Sequence, residues 1–308
     1  MKEKYFFISN DVETTSLWNH RLSDITGEKV WKEGMPILLE LYQRYNIKST
    51  FFFTGYIARL YPDIVKMILP HGHEVGCHGL VHNSDKAFDL LSLDEQINHL
   101  REAKKILEDI SGNEIISFRA PAIRVNGDTP LALKETGFKI DSSIASQRMD
   151  FMFSFGTKHK LKWLISPRKP YFTSIKDLAR KGESDILEMP VNSFGLPYVG
   201  TFMRISPGFT RLLRFFLNVE NKLRNTPVSF IIHPNELIKE EISGEKIQRR
   251  SKNYMKYLLA DKLRYKLKLK NLGDKAISLL EQQLLYFSER DYTSITFKEY
   301  YLKSFDAE

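Results

Sequence analysis

The chain of 308 residues has a single cysteine, Cys77, so no disulfide can form within it, and the residue reads as a small buried hydrophobe suited to a reducing compartment. No apolar run approaches the length of a membrane span, and the brief run at residues 5–8 gives way to Asn10 and Asp11, too short and too acidic for an export signal. Low-complexity tracts and internal repeats are also missing, and glycine and proline are too sparse to mark a linker. Together these absences exclude a disulfide scaffold, a membrane-spanning protein and a repeat array. What remains is a cytoplasmic globular enzyme or binding protein. Its hydrophobic content of 42% is enough for a large core in one domain spanning 1–308.

Charge is plentiful but unevenly placed. Eleven basic residues stand against four acidic ones between 239 and 270, which accounts for nearly all of the net charge of +8. That block reads as a basic insertion, either a solvated face or an attachment point for an anion such as phosphate or a lipid head group at the inner membrane face. Nucleic acid is not expected as a partner, because the charge is confined to one segment with few aromatics beyond Tyr254, Tyr257 and Tyr265. Oligomeric state is not legible.

Strand-like and helix-like segments alternate along most of the length. Strands are expected at 5–9, 49–54, 74–77, 115–118, 137–140, 228–232 and, to close the sheet, 292–297; helices at 33–45, 58–69, 93–111, 129–136 and 279–287. Ser92 with Glu95 three residues on forms a capping box ahead of the long helix. Repeated strand-helix units argue a parallel sheet, here a closed or nearly closed (β/α) barrel. Between 150 and 204 the pattern loosens into aromatic loops with Phe151, Phe153, Phe155, Trp163 and Tyr171, which are either core or the lining of a sugar-sized groove.

The most informative stretch surrounds His78 and His82, embedded among Gly72, Gly76 and Gly79. An isolated pair of histidines is more often two polar groups on one helix face than half of a metal site. Glycine follows His78, so the two-histidine helix of zinc proteases with its adjacent glutamate is excluded. In a parallel barrel, reactive groups gather where strands end. At those ends stand Asp11 and Glu13, His78 and His82, Arg119 and Pro121, Asp141 with Ser142 and Ser143, and His233. Histidines 20, 71, 73 and 159 read as structural or surface residues.

These runs, Asn10-Asp11-Val12-Glu13, His78-Gly79-Leu80-Val81-His82, Arg119-Ala120-Pro121, Asp141-Ser142-Ser143 and Ile231-Ile232-His233-Pro234, resemble in order the five motifs of the polysaccharide deacetylase family, also known as the NodB-homology or carbohydrate esterase family 4 group. The likeness covers about 5–236 and the closing strand. It implies a distorted (β/α) barrel and a metal-dependent hydrolase that removes an acetyl or formyl group from an amino sugar. Glu13, His78 and His82 would hold a divalent metal, with zinc the default and cobalt, iron, nickel or manganese compatible with the same donors. Asp11 would be the general base and Arg119 its clamp. His233 would protonate the leaving amine, with Asp141 holding its ring, and Pro121 and Ser142 would face the substrate.

The family more commonly has two adjacent aspartates where this chain has Asn10-Asp11. One alignment therefore makes Asp11 the metal ligand and leaves Asn10, which cannot take a proton, in the place of the base. Strand alternation favours Asp11 as base and Glu13 as ligand, since it puts both on one face. With no export signal, the resemblance implies a cytoplasmic glycan precursor, carrying phosphate or lipid if the basic block binds it. The alternatives are an allantoinase-like hydrolase of a small amide or imide, or a catalytically silent glycan-binding protein of the same fold.

Overall fold

The structure, a computed structural model, describes residues 3–17, 22–82, 87–148, 163–239, 254 and 263–305. Its strands are β1 (Lys4–Val12), β2 (Ser49–Phe53), β3 (Glu74–Cys77), β4 (Ser117–Phe118), β5 (Ile140–Asp141), β6 (Ala145–Arg148), β7 (Tyr171–Ser174), β8 (Asp177–Lys181), β9 (Leu187–Glu188), β10 (Val191–Pro197), β11 (Val228–Ile232) and β12 (Tyr292–Ser294). A curled sheet runs in the order β11, β1, β2, β3, β4, β5, β9, β7, β8, with β12 beside the start of β1. Pairing is parallel from β11 through β9, and only β7 runs against its neighbours.

The gap between β5 and β11 is closed by the parallel ribbon of β6 and β10. The ribbon continues β5 and β9 along the chain, its ladder starting with Val191 N donating to Ile144 O at 2.9 Å, and Val199 just past β10 bridges Ile231 of β11. The result is the distorted (β/α) barrel expected from the alternating pattern.

Register decides which residues face the barrel interior. Asp11 pairs with Phe52, Phe52 with Gly76, and Ser9 with Thr50 and Ile231, so these positions share the inner face with Phe7, Glu13, Glu74 and His78. Phe6, Ile8, Asn10, Phe51, Phe53, Cys77 and Phe118 take the opposite parity and face the helices. Two cores follow. A large one lies between sheet and helices, and a small one inside the barrel gathers Phe7, Phe52, Ile116, Ile140, Leu187, Met189, Ile295 and Phe297. Gly76 is required where it stands, because a Cβ there would lie 2.7 Å from the Phe52 ring.

The helix Leu93–Ser111 has the expected bounds, its capping box formed by Ser92 and Glu95 and its end marked by Gly112 at φ +67°. It buries Leu100, Ala103 and Leu107 completely, each leucine stabilising the fold by about 1.5–3 kcal/mol. Elsewhere the bounds differ from the sequence reading for local reasons. The single helix expected over 58–69 is broken into Gly55–Leu60, Asp63–Lys66 and the turn Leu69–His71, because Pro62 and Pro70 cannot continue a helix.

The closing strand stops at Ser294, and the chain turns into a helix, Phe297–Phe305, that was not expected. The β7–β8 hairpin was likewise missed in the stretch that looked irregular, and the helix Pro207–Arg224 beyond it was not expected either. The segment Val30–Gly34 is a π-helical turn, and its Gly34 packs against the turn after β11: a Cβ there would lie 2.6 Å from the Pro234 carbonyl oxygen.

Candidate active site

Strand β1 runs three residues further than the sequence suggested, so Asp11 sits inside the sheet and Glu13 just beyond it. Both point inward. Asn10 points outward, where its Nδ2 donates to Ser49 Oγ at 2.6 Å and its Oδ1 accepts from Tyr42 at 2.7 Å. It serves the sheet and the helix Met35–Arg44, and it offers the site nothing.

His78 follows β3 and is 1% exposed, whereas His82 lies four residues on across Gly79 at φ +73°, in the loop after the strand. The ligand atoms of Glu13, His78 and His82 all lie within 4.8 Å of one another. Among the described residues no other such group of carboxylates, imidazoles and thiols occurs.

His78 Nδ1–H donates to the Arg119 carbonyl at 2.8 Å, which fixes the ring and leaves Nε2 with its lone pair aimed inward. His82 Nδ1 pairs with Glu13 Oε2. Two nitrogens and a carboxylate within this reach fit one divalent cation, leaving further positions for water and substrate. Burial raises the Glu13 carboxyl, but the adjacent His82 and the charges of His78 and His233 outweigh it and hold the group down at about 2. Burial, with the charges of His82 and Arg119, depresses His78 against the pull of Asp11 and Glu13. Both groups are therefore in the forms that bind a cation at neutral pH.

Arg119, fully buried, organises the middle of the site. Its Nη1 donates to Asp11 Oδ1 at 2.8 Å, Nη2 to Ser142 Oγ at 2.8 Å and Nε to Ser142 O at 3.0 Å, while its Cζ lies 4.4 Å above the Phe52 ring. The other oxygen of Asp11 lies 3.9 Å from His78 Nε2 and 3.8 Å from His233 Nε2. Burial works against the Asp11 carboxylate, yet Arg119, His78 and His233 keep it below the ordinary range, so it is ionised.

His233 follows β11 and keeps 27% of its side chain exposed at the mouth of the site. Its Nδ1–H donates to Glu236 Oε1 at 3.0 Å. Glu236 itself is fully buried and takes Arg204 Nε on its other oxygen at 2.8 Å; Arg204 is also fully buried and donates to the carbonyls of Lys268 and Lys270 at 2.8 Å. Charge thus alternates along Arg204, Glu236, His233, Asp11 and Arg119. Burial opposes protonation of His233, but the Glu236 hydrogen bond and the charges of Asp11 and Glu13 raise it to about 9. Glu236 is held at about 2, Arg204 and His233 outweighing its burial.

The sequence reading had assigned the support of His233 to Asp141, and the structure corrects it. Register pairs Asp141 with Phe118 and with Glu188, all on the outward face, because β5 begins later than expected and reverses the parity of Asp141. There Asp141 accepts from Ser143 Oγ at 2.6 Å and faces Glu188. Burial drives both carboxyls up, Glu188 furthest under the charge of Asp141 as well, so the pair holds a proton between them.

Ser142, expected to meet substrate, is also fully buried. Its hydroxyl accepts from Arg119 and donates to the Met189 carbonyl at 2.7 Å, so it anchors the guanidinium. Pro121 is buried next to Gly79 and opens a turn in which Ala122 and Ile123 both have positive φ, +54° and +52°; its place is to brace the histidine loop. Glu236 and Arg204 were missed. The signal for Glu236 was its position three residues after His233 in a Pro-Asn-Glu turn, where one helical turn brings it under the ring.

Most of the basic block, including Lys262, and the aromatics Phe151, Phe153 and Phe155 lie outside the described residues, as do His20 and His159. Of the block's described part, Lys239 pairs with Asp274 and Lys270 Nζ donates to the Ile205 carbonyl. Trp163 and Tyr171 are core. His73, buried and accepting from Ser49 N, is pushed down to about 4 by burial, as a structural histidine should be.

Residues 22–140 match the model of the polysaccharide deacetylase family. The chain is 28% identical over 161 residues to a peptidoglycan deacetylase of Helicobacter pylori, covering 52% of this chain and 53% of that protein. It is 29% identical over 197 residues to a peptidoglycan deacetylase-like protein of Gibberella zeae, covering 60% and 56%. The chain thus spans about half the length of these curated relatives.

Among solved structures, a probable polysaccharide deacetylase from Pseudomonas aeruginosa PAO1 superposes with a TM-score of 0.61 at 15% identity, covering 99% of this chain and 91% of that one. A candidate polysaccharide deacetylase from Mycobacterium smegmatis gives 0.56 at 19% identity, covering 96% and 94%. The barrel, the ordered motifs on its rim and the sequence relatives agree: residues 22–140 match the polysaccharide deacetylase family, and the fold is that of the polysaccharide deacetylases it superposes on.

Proposed function

We propose that the protein hydrolyses the N-acyl group, acetyl in the first instance, of an amino sugar in a glycan or glycan precursor. The observation that carries this reading is the placement of one carboxylate, Asp11, between a three-ligand cluster on one side and a raised histidine, His233, on the other. A divalent cation held by Glu13, His78 and His82 supplies polarisation of the amide carbonyl and acidification of a water. Asp11, ionised and fixed by Arg119 through one oxygen, keeps its second oxygen to take the water's proton as the water oxygen attacks the carbonyl carbon. His233, protonated and steered by Glu236, gives its proton to the amine nitrogen as the carbon–nitrogen bond breaks. Acetate and a free amine result. The mouth of the site lies at the part-exposed rings of His82 and His233.

Peptidoglycan and chitin oligomers are the substrates to try first, since relatives named for deacetylating them match this chain. A phosphate- or lipid-linked precursor met on the cytoplasmic side belongs to the same reading and is supported by the positive charge of 239–270. The test combines metal analysis of the purified protein with acetate release from N-acetylglucosamine oligomers before and after chelation. Bound metal with chelator-sensitive release is expected. Release that survives complete metal removal sinks the proposal, and turnover of small cyclic imides in its place selects the allantoinase-like alternative.

A further inference from the structure

The helix Pro207–Arg224 has two apolar faces where a surface helix needs one. Its inner face buries Leu213 and Leu217 against the barrel, as expected. On its outer face Leu212, Phe216, Val219 and Leu223 recur at intervals of four, three and four residues and form a single stripe, with Phe215 beside it. Exposure is large: 51% for Leu212, 55% for Phe215, 43% for Phe216 and 79% for Leu223. Phe194 of β10, 58% exposed, stacks on Phe216 with ring centroids 5.7 Å apart and extends the patch onto the sheet. A contiguous apolar surface of this kind on a soluble domain marks a contact site.

The charges around it select the occupant. Arg211 and Lys222 are exposed along one edge of the stripe, and Arg224 is exposed at its end. The helix's one acidic residue, Glu220, is taken up by Arg168 at 2.6 Å. A second copy docking through the same face would set Arg211 of one chain toward Lys222 of the other, like charge against like. An anionic lipid surface satisfies both features, since acyl chains receive the leucine and phenylalanine side chains while phosphates receive the cations.

No helix among the described residues is long and apolar enough to cross a membrane, so the contact would be peripheral. We propose that the helix Pro207–Arg224, with Phe194, lies on an anionic bilayer and docks the protein there. This surface uses no residue of the basic block at 239–270 and is independent of the hydrolytic reading.

Co-sedimentation of the full chain with vesicles of phosphatidylcholine alone, and of phosphatidylcholine mixed with phosphatidylglycerol, tests it. The wild type is expected to bind the anionic vesicles and to bind the neutral ones far less. Phe215→Ser with Phe216→Ser should weaken binding to anionic vesicles by about tenfold or more, and Arg211→Glu with Lys222→Glu should abolish the preference for anionic lipid. Unchanged circular dichroism and an unchanged melting temperature show that the variants remain folded; Leu223→Ser, at the most exposed position, repeats the test if the double variant does not. Binding that persists undiminished in the variants, as it would if the basic block carried all of it, overturns the proposal. So does a wild type that binds neither vesicle, or one that instead self-associates in sedimentation velocity through Phe216.

Discussion

The two ends of the barrel are built from the same strands and follow opposite chemistry. At the carboxyl ends of β1, β3 and β11, charged groups crowd together: buried Asp11 and Glu13, part-exposed His233 and, around the turn, buried Glu236 and Arg204. Below them the inward positions hold Phe7 toward the amino end and Phe52 level with Asp11, against which the helix Phe297–Phe305 sets Phe297 and Tyr300 at ring distances of 5.1–5.8 Å. The buried acid at that end, Glu74, is raised by burial and spends its oxygens on Thr50, Ser117 and the first turn of the C-terminal helix.

One end accepts the cost of desolvating charge because each charge faces one of opposite sign; the other closes the barrel with rings and neutral hydrogen bonds. Arg119 over Phe52 is the boundary between them. The difference separates chemistry from stability by height along the strands, and the sharpest tests address each end alone.

Asp11→Asn keeps the shape of the rim and removes the proposed base. Acetate release should fall by about 10²–10⁴-fold, while bound metal, read by elemental analysis, is retained. Loss of metal along with activity would instead make Asp11 a ligand. At the other end, Phe297→Ala should cost about 3–5 kcal/mol of stability in denaturant melts. Its kcat measured well below the lowered melting temperature should stay close to wild type. A large drop in kcat in a folded Phe297→Ala protein would show that the two ends are coupled.

How much of this was legible depended on strand parity. Alternation along β1 put Asp11 and Glu13 on one face, and the same period carries His78, Arg119 and His233 inward once their strands are located. Asp141 failed because β4 and β5 are two residues long, so an offset of one in a short apolar run sends the side chain to the other face. Glu236 was invisible for a different reason: its partner Arg204 lies 32 residues away in a stretch with no clear period, and only the fold brings them together. The C-terminal helix was lost because Ile295, Thr296 and Phe297 look like the continuation of a strand, whereas Glu299 caps the turn through Thr296 N.

Within the rim, Glu236→Gln asks whether the buried anion is needed or only its shape. The ring stays hydrogen-bonded but loses the charge that holds its proton, so kcat should fall by about 10²-fold and the alkaline limb of activity should move to lower pH. Stability gives the sign independently of turnover. Protonated His233 is favoured in the folded protein, so its contribution is full below the unfolded value of about 6.5 and disappears as pH rises through about 9. Melting temperatures of metal-free wild type should decline across that window, and those of Glu236→Gln should not. Parallel pH profiles for the two proteins would remove Glu236 from the account.

The smallest effect is expected one residue from the proposed metal cluster. Cys77 precedes His78 on β3, and in a loop it would be a natural fourth ligand or a nucleophile. Register forbids both, since Cys77 pairs with Phe118 on the outward face, fully buried among apolar side chains. Burial pushes its thiol up to about 12, so it stays protonated at neutral pH and is neither metal-binding nor reactive. Cys77→Ala should therefore leave metal content and kcat unchanged, and cost only about 1 kcal/mol through the lost packing of the sulfur. In the wild type, alkylation should wait for global unfolding and follow its rate. Metal loss in the variant, or rapid alkylation of the folded protein, would place Cys77 on the inner face and undo the parity from which the rim is read.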